Sequence, residues 1–511
     1  MVFLFFFLFL MLGLGIYRDY GVSSDEITSR DNGIVSLKYA VLGNQQLLTY
    51  RDRDYGPAFE MFLVVVEVCL GLTGNLRQII LLRHLMVFLL FFAAAICFYH
   101  LCKYRFKSRW IALAGCLFLI ISPRIFADSF INTKDSVCLS LFVISIFTLV
   151  RLSERKTALR LFIHALVSAL LIDVRLAGLL VPALTVVYLS LDVSGKGSDP
   201  QEIKRGVLTI LGYLFCAGAL VILFWPLLWN DPLADFLRAW RGMTHFTRWD
   251  LASLYMGQYC KGSRLPWHYL PVWIAISTPV SYILLFLSGC FFFARQLFVR
   301  SVRGFDRQWV IDLICVLWFF LPLTAVIAFR SVVYDAWRQF FFVYPAFLII
   351  GLAGLVRLSG IIRCLRDKRI SRFISTACIL FLAFDLANVV RFMVKNHPYQ
   401  NLYFNILAGN RIKDNFELDS YPQSYRKALE YILSHDKREA VKVYANQPPA
   451  LIFSSWILPA RERKRLVFVE AEKEADYFIG NYRLHKEEYP YKDEVYSLKI
   501  EGVRVLGVYR L

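Results

Sequence analysis

The chain has 511 residues, 58% of them hydrophobic and 16% aromatic, with only 19% charged. Soluble domains carry about 45–50% apolar and about 25% charged residues, and here long apolar runs recur through the first three quarters, which excludes a soluble enzyme, a secreted disulfide scaffold and a disordered chain. The net charge of +19 collects in loops between apolar runs, the pattern that fixes membrane topology and not a compact nucleic-acid face. A polytopic α-helical membrane protein remains.

In chain order, Met1–Ile16 is almost wholly apolar and has neither a basic n-region nor an Ala-x-Ala cleavage site, so a retained first span is expected. It is short and lacks a basic head, which leaves a truncated start open. A polar segment from Tyr17 to Pro57 follows. Ala58–Gly74 then carries Glu60 and Glu67, too costly a pair for a spanning helix, and is placed along the membrane surface. Ten further apolar runs come next: Ile79–Leu101, Trp110–Ile121, Ser136–Val150, Leu161–Ile172, Ala177–Leu191, Val207–Leu228, Tyr269–Ala294, Val310–Phe329, Phe340–Leu355 and Phe373–Val390. With the first, they make about eleven spans.

Basic clusters fall in every second loop of that scheme: Lys103–Arg109, Arg151–Arg160, Lys196–Arg205, Arg295–Arg307 and Arg357–Arg372. The positive-inside rule makes these cytoplasmic. The loops 17–78, 122–135, 173–176, 229–268 and 330–339, and the tail from 391, are then extracytoplasmic. Residues 1–390 read as a membrane domain and 391–511 as a small α/β domain. Its expected strands are Ala440–Ala445, Leu466–Glu470, Asp476–Ile479, Glu494–Ile500 and Val503–Tyr509, preceded by a helix over Ser424–Ser434. The eleven cysteines lie mostly inside apolar runs without zinc spacing and read as small buried hydrophobes.

Chemistry-bearing residues concentrate in the outer loops. Ser23-Ser24-Asp25-Glu26 opens a helical pattern through Ala40, so Asp25 can serve as a proton acceptor at the water–lipid boundary. Ser24 or Asp25 can equally be a helix cap. The connection Ser122–Asp135 packs Arg124, Asp128, Lys134 and Asp135 together, a cluster able to hold a phosphate beside an acid. A self-paired hairpin, or Asp135 as the next helix's cap, is the plainer alternative. Asp173, Arg175 and Arg338 are single polar anchors, as suited to snorkelling as to a phosphate. Asp52-Arg53-Asp54 spells the DxD of metal-dependent sugar transferases, a three-residue signal. No HExxH, Walker A or GxSxG pattern occurs.

An apolar span followed by Ser-Asp-Glu, a surface helix with Tyr55-Gly56-Pro57, and an Arg…Asp loop before the fourth span resemble the GT-C glycosyltransferases. The branch resembled is that of the protein O-mannosyltransferases and lipid A aminoarabinose transferases. Asn132-x-Lys134-Asp135, Leu265-Pro266-Trp267-His268-Tyr269, Tyr334-Asp335-x-Trp337-Arg338 and His397-Pro398-Tyr399-Gln400 are similar to bacterial members. The resemblance covers essentially the whole chain. It implies an inverting sugar transfer from a polyprenyl-phosphate donor to a glycan, lipid or protein acceptor outside the cytoplasm, in a bacterial inner membrane. It assigns the base to Asp25, beside Glu26, and a second acid to Asp135. Arg124, Lys134 and Arg338 are then the candidates for the phosphate, with Asp128, Arg175, Tyr55, Tyr334 and Asp335 completing the substrate site. No metal ligand is expected, although some GT-C enzymes use a divalent ion. One departure matters: the aminoarabinose branch has Lys-Pro-Pro where this chain has Tyr55-Gly56-Pro57, so its phosphate-binding lysine has no counterpart in the sequence.

A secondary transporter or lipid-sugar flippase would also need many spans and intramembrane charge. It would show an internal repeat with interrupted helices in corresponding halves, and none is visible. A scaffold protein would carry the outer-loop acids incidentally.

Overall fold

The computed structural model describes residues 1–194, 200–244, 252–301 and 307–511. Lys196 and Arg303, in two of the basic clusters, lie outside them. Among the described residues seven helices are long and apolar enough to cross a membrane: Leu76–Phe106, Asp135–Glu154, Leu176–Val193, Pro200–Phe224, Arg307–Phe329, Arg338–Arg363 and Lys368–Lys395. The pair Arg109–Ile120 and Pro123–Ile131, bent by 67°, makes an eighth if counted as one span. Val2–Ile16 and Val280–Arg295 are shorter apolar helices.

All eleven apolar runs are therefore helical, but not all are single helices of full length. Tyr269–Ala294 is two helices, Tyr269–Ser277 and Val280–Ser301. Thr278 between them is extended, because a proline at 279 disfavours helical backbone in the residue before it. The freed amide of Ser281 donates to Asp385 at 2.9 Å. Val280–Ser301 crosses Tyr344–Arg363 at very close range, where a Cβ on Gly354 would meet the Leu285 carbonyl oxygen at 2.3 Å. Only glycine permits that approach. Lys368–Lys395, by contrast, buries almost none of its surface and presents its apolar residues outward.

The segment after the first apolar helix is built on Ser24–Leu42. Ser23 caps this helix, its hydroxyl accepting from the Asp25 amide while Glu26 accepts from the Ser23 amide. That corrects the expected cap at Ser24 or Asp25, and it leaves the Asp25 carboxylate free of capping duty. Ala58–Cys69 is a 12-residue helix, about 18 Å long and too short to span. Its two acids are buried, not turned to water. Arg83 reaches Glu60 and, at 3.0 Å, Glu67, and Arg30 holds Glu67 at 2.8 Å. Burial is possible because each carboxylate meets a guanidinium.

The tail folds as expected into helix Ser424–His435 and a five-stranded sheet. Strand order is Leu466–Phe468, Val441–Ala445, Tyr477–Asn481, Val503–Arg510, Glu494–Ile500, parallel across the first three and antiparallel beyond. Its own core includes Leu429, Ile432, Val443, Ile479 and Val508. The last membrane helix runs to Lys395, four residues past the expected boundary at 391. Arg426 donates to the carbonyls of Arg18 and Tyr20 at 2.8 and 2.7 Å, and Arg77 to that of Ile457 at 3.0 Å. The tail thus sits on the segment after the first apolar helix, at the same end of the helices.

Candidate active site

Arg338 is the centre of the constellation. It follows a turn in which Asp335 and Ala336 both have left-handed backbone, φ +56° and +62°, a conformation costing about 1–2 kcal/mol per non-glycine residue. Side chains hold the turn in place. Asp335 accepts from Arg338 Nη2 at 2.7 Å and from Arg483 Nη2 at 2.5 Å, and Trp337 donates its indole N–H to Ser277 at 2.7 Å. So fixed, Arg338 Nη1 donates to Asp25 at 2.8 Å, Asp135 at 2.9 Å and the Tyr421 hydroxyl at 3.1 Å.

Asp135 is placed by the Asn-x-Lys-Asp stretch. The Asn132 side-chain oxygen accepts from the amides of Lys134 and Asp135 at 3.1 and 2.7 Å, while its Nδ2 donates to Asp135 at 3.0 Å and Asp128 at 3.3 Å. Lys134 holds the cap position and Asp135 is the first helical residue, so the expected cap role for Asp135 is corrected: Asn132 does that work. Asp135 then bridges two arginines, Arg338 through Oδ2 and Arg175 through Oδ1.

The three carboxylates on Arg338 differ in access. The side chains of Asp135 and Asp335 are 0% and 4% exposed, whereas Asp25 retains 42%. Burial pushes the Asp25 carboxyl upward, but the charges of Arg338 and Lys134 outweigh it and hold the group below the ordinary carboxylate range.

A cleft of about 1490 Å³ opens beside this network. Its walls are largely apolar (Leu176, Leu180, Trp225, Trp240, Val326, Phe340), and Asp54, Tyr55, Asp173, Arg175 and Tyr334 supply its polar groups. Tyr55 is fixed by its neighbours. Asp173 accepts from the Ala58 amide at 2.6 Å, and a Cβ on Gly56 would lie 2.1 Å from the Asp173 carbonyl oxygen. Gly56→Ala is therefore expected to destabilise by about 1–3 kcal/mol, as overpacking does, and a melting-temperature comparison checks it; an unchanged Tm would mean that this approach is not obligatory. The Lys134 ammonium lies 4.2 Å from the centre of the Tyr55 ring.

Not every expected site residue joins this group. Arg124 does not line that cleft but a smaller cavity, together with Arg338, Asp335, Asp128, Glu417 and Tyr421. Its guanidinium lies over Phe404 and Trp273, and its Nε donates to the Tyr403 carbonyl at 3.2 Å. Glu26 is buried against His84, 3.4 Å away, and among the described residues makes no bond to Arg338 or its carboxylate partners. His268 bonds Tyr255 at 2.6 Å and His397 bonds Asp19 at 2.9 Å, so both serve to join loops. Among the described residues no three His, Cys, Asp or Glu side chains are grouped to hold a metal ion.

Tyr421, Glu417 and Arg483 were invisible to sequence reasoning. They come from the tail, 79 to 145 residues from Arg338, and no motif marks them. Arg483 donates to Glu417 at 2.9 Å as well as to Asp335. Burial and the neighbouring Asp335 raise the Glu417 carboxyl to about 7, against the pull of Arg483.

No protein-family profile matches the chain, and no curated protein matches it. Among solved structures it is similar to ArnT of Cupriavidus metallidurans in the apo state, at 12% identity and TM-score 0.51, over 99% of this chain and 97% of that one. The chain has the ArnT fold. ArnT of the same organism bound to undecaprenyl phosphate is also similar, at 13% identity and TM-score 0.48, over 98% and 97% of the two chains. The ArnT likeness extends through the membrane helices and the C-terminal sheet alike, as the GT-C resemblance implies. At such identity it speaks for the fold, and the roles of individual residues rest on this chain's own geometry.

Proposed function

We propose that this protein is an integral-membrane glycosyltransferase that moves a sugar from a polyprenyl-phosphate donor to an acceptor outside the cytoplasm, with inversion. One observation carries the reading most directly: of the carboxylates gathered on Arg338, Asp25 alone has a substantially exposed side chain, and Arg175, the other arginine on Asp135, lines a large apolar cleft. The ArnT fold supports it.

In this reading the polyprenyl chain occupies the cleft, and its phosphate meets Arg175, Lys134 and Tyr55 at the inner end, with Arg338 behind them. An acceptor hydroxyl attacks the anomeric carbon as the bond to the phosphate oxygen breaks. The hydroxyl proton passes to Asp25, and the bonding electrons leave with the polyprenyl phosphate, whose charge the cations neutralise. A carboxylate held below its usual pKa is a weak base. The arriving phosphate corrects this, because it competes with Asp25 for Arg338 and Lys134 and so raises the carboxylate's proton affinity. A single base at a single displacement gives inversion. Arg124 falls outside the phosphate site, and Asp128 with it.

The test is transfer of labelled sugar from synthetic polyprenyl-phosphate donors by the purified protein, with mass spectrometry of co-purified lipid. Absence of both transfer and bound polyprenyl phosphate across hexose and pentose donors would overturn the reading.

The reading also fixes orientation. In a cysteine-free background, Lys437→Cys in the tail is expected to react with an impermeant maleimide on intact cells, and Lys368→Cys only after permeabilisation. Labelling of both from one side, or the reverse pattern, would put the site on the wrong face of the membrane.

A further inference from the structure

At the opposite end of the molecule lies a second charged cleft, which sugar transfer does not use. The helix Asp135–Glu154 begins at the candidate site and, with 20 residues, carries the chain about 30 Å away. Just beyond its end, a cleft of about 900 Å³ opens between the starts of Ala158–Val174 and Pro200–Phe224. Among the described residues its polar lining consists of Lys156, Thr157, Gln201, Lys204, Arg205 and Thr209, three cations and no acid.

Lys156 is the unusual member. Its side chain is only 5% exposed, yet its ammonium makes no hydrogen bond. The nearest acid, Asp192, is 3.5 Å away and is shared with Arg307 at 3.6 Å. Held by that shared carboxylate only at 3.5 Å and without a hydrogen bond among the described residues, the buried ammonium keeps donors for an incoming acceptor. Lys204 and Arg205 stand exposed on the other wall, and Glu202, 3.9 Å from Arg205, stays outside the lining.

The apolar surroundings say what kind of acceptor fits. Leu161 and Leu208 form the floor, and Leu208, Leu211 and Phe215 continue as an exposed apolar strip along the helix away from the charged end. Phosphate-sized cationic groups above and a hydrocarbon track below match one amphiphile. We propose that this cleft binds the phosphodiester headgroup of an anionic phospholipid from the leaflet at that end, with an acyl chain lying along Leu208–Phe215. Lys156 and Arg205 would donate to the phosphate oxygens, and Lys204 would add charge at the rim.

The experiment uses the full chain in detergent, with its melting temperature followed as lipid is added and bound lipids counted by native mass spectrometry. Phosphatidylglycerol is expected to raise Tm saturably and to remain bound as a discrete adduct, while phosphatidylcholine does neither. Lys204→Ala combined with Arg205→Ala is expected to weaken the phosphatidylglycerol midpoint about thirtyfold, the effect of two cations at a membrane surface. A charge-matched control on another loop at the same end, Arg366→Ala with Arg369→Ala, is expected to leave the midpoint unchanged. Equal shifts with phosphatidylcholine, or equal losses in the control, would show general lipid or charge effects and overturn the site. Equal stabilisation by inorganic phosphate would show a soluble-anion site and overturn the lipid assignment. If the double variant does not fold, Lys204→Gln alone is read against the same control, and an unchanged midpoint there would overturn the proposal.

Discussion

Asp25→Asn is expected to fold normally and to lose transfer activity by about 100-fold or more, the scale of a missing general base. The amide keeps the shape of the side chain but cannot take the acceptor's proton. Folding should survive because Ser23, not Asp25, caps the helix, and because Arg338 retains Asp135 and Asp335. Asp25→Glu is also harmful, since a displacement of about 1 Å at the reacting atoms costs about 100-fold. Turnover and Tm of both proteins, measured side by side, check this. Near wild-type turnover in a folded Asp25→Asn would move the base to Asp135 or Asp128. A pH effect accompanies the substitution. The folded carboxyl lies below its ordinary value, so its contribution to stability is present above the unfolded pKa of about 3.9 and is lost as pH falls through the folded one. Asp25→Asn should therefore lower stability slightly and evenly near neutrality and flatten part of the acid side of the stability profile below about pH 4.

The largest effect on stability is expected at Arg338→Met. The substitution leaves three carboxylates around a vacated position, two of them with side chains 0% and 4% exposed. Breaking a buried pair in this way costs about 3–5 kcal/mol, because the remaining charges have no solvent to turn to. The left-handed turn at Asp335 and Ala336 also loses one of the two guanidinium groups that hold it. A strongly lowered Tm is the expected result, and Asp335→Asn added to Arg338→Met should recover part of it by removing one uncompensated charge. An Arg338→Met protein with wild-type Tm would mean that the network is solvated and that Arg338 is not its keystone. Arg483→Met should act in the same direction, since Arg483 is the tail's hold on Asp335.

Much of the architecture was legible because it rests on local chemistry. An apolar run must become a helix in a bilayer, where unpaired backbone groups find no water, and all eleven runs did. Short alternating runs in the tail marked five strands to within a few residues, although Tyr477–Asn481, the central strand, is buried at every position. Proline 279 was also visible in Tyr269–Ala294, yet the unbroken hydropathy concealed the joint it imposes. Hydropathy measures transfer to lipid and is blind to a missing N–H.

Asp25, Asp135, Arg175 and Arg338 each stood out as charges at the edge of apolar segments, where solvation alone makes a charge conspicuous. Which of them would meet was undetermined, since ion pairing across 100–300 positions leaves no periodic trace. Arg124 and Arg175 illustrate the limit. Both are arginines beside apolar runs, but only the three-dimensional packing turns Arg124 against Trp273 and Phe404 and gives Arg175 to the cleft. Glu60 and Glu67 were read as too costly for a spanning helix, and Ala58–Cys69 is too short to span; what the composition did not show is that Arg83, from another helix, supplies the counter-charge that lets both be buried. The sequence by itself determined the membrane class, the helices and the tail's strands. Only the tertiary structure decided the pairing of the charges, the unequal exposure that singles out Asp25, and the reach of Tyr421 and Arg483 from the tail, because Coulombic and packing energies depend on distance in space and not on separation along the chain.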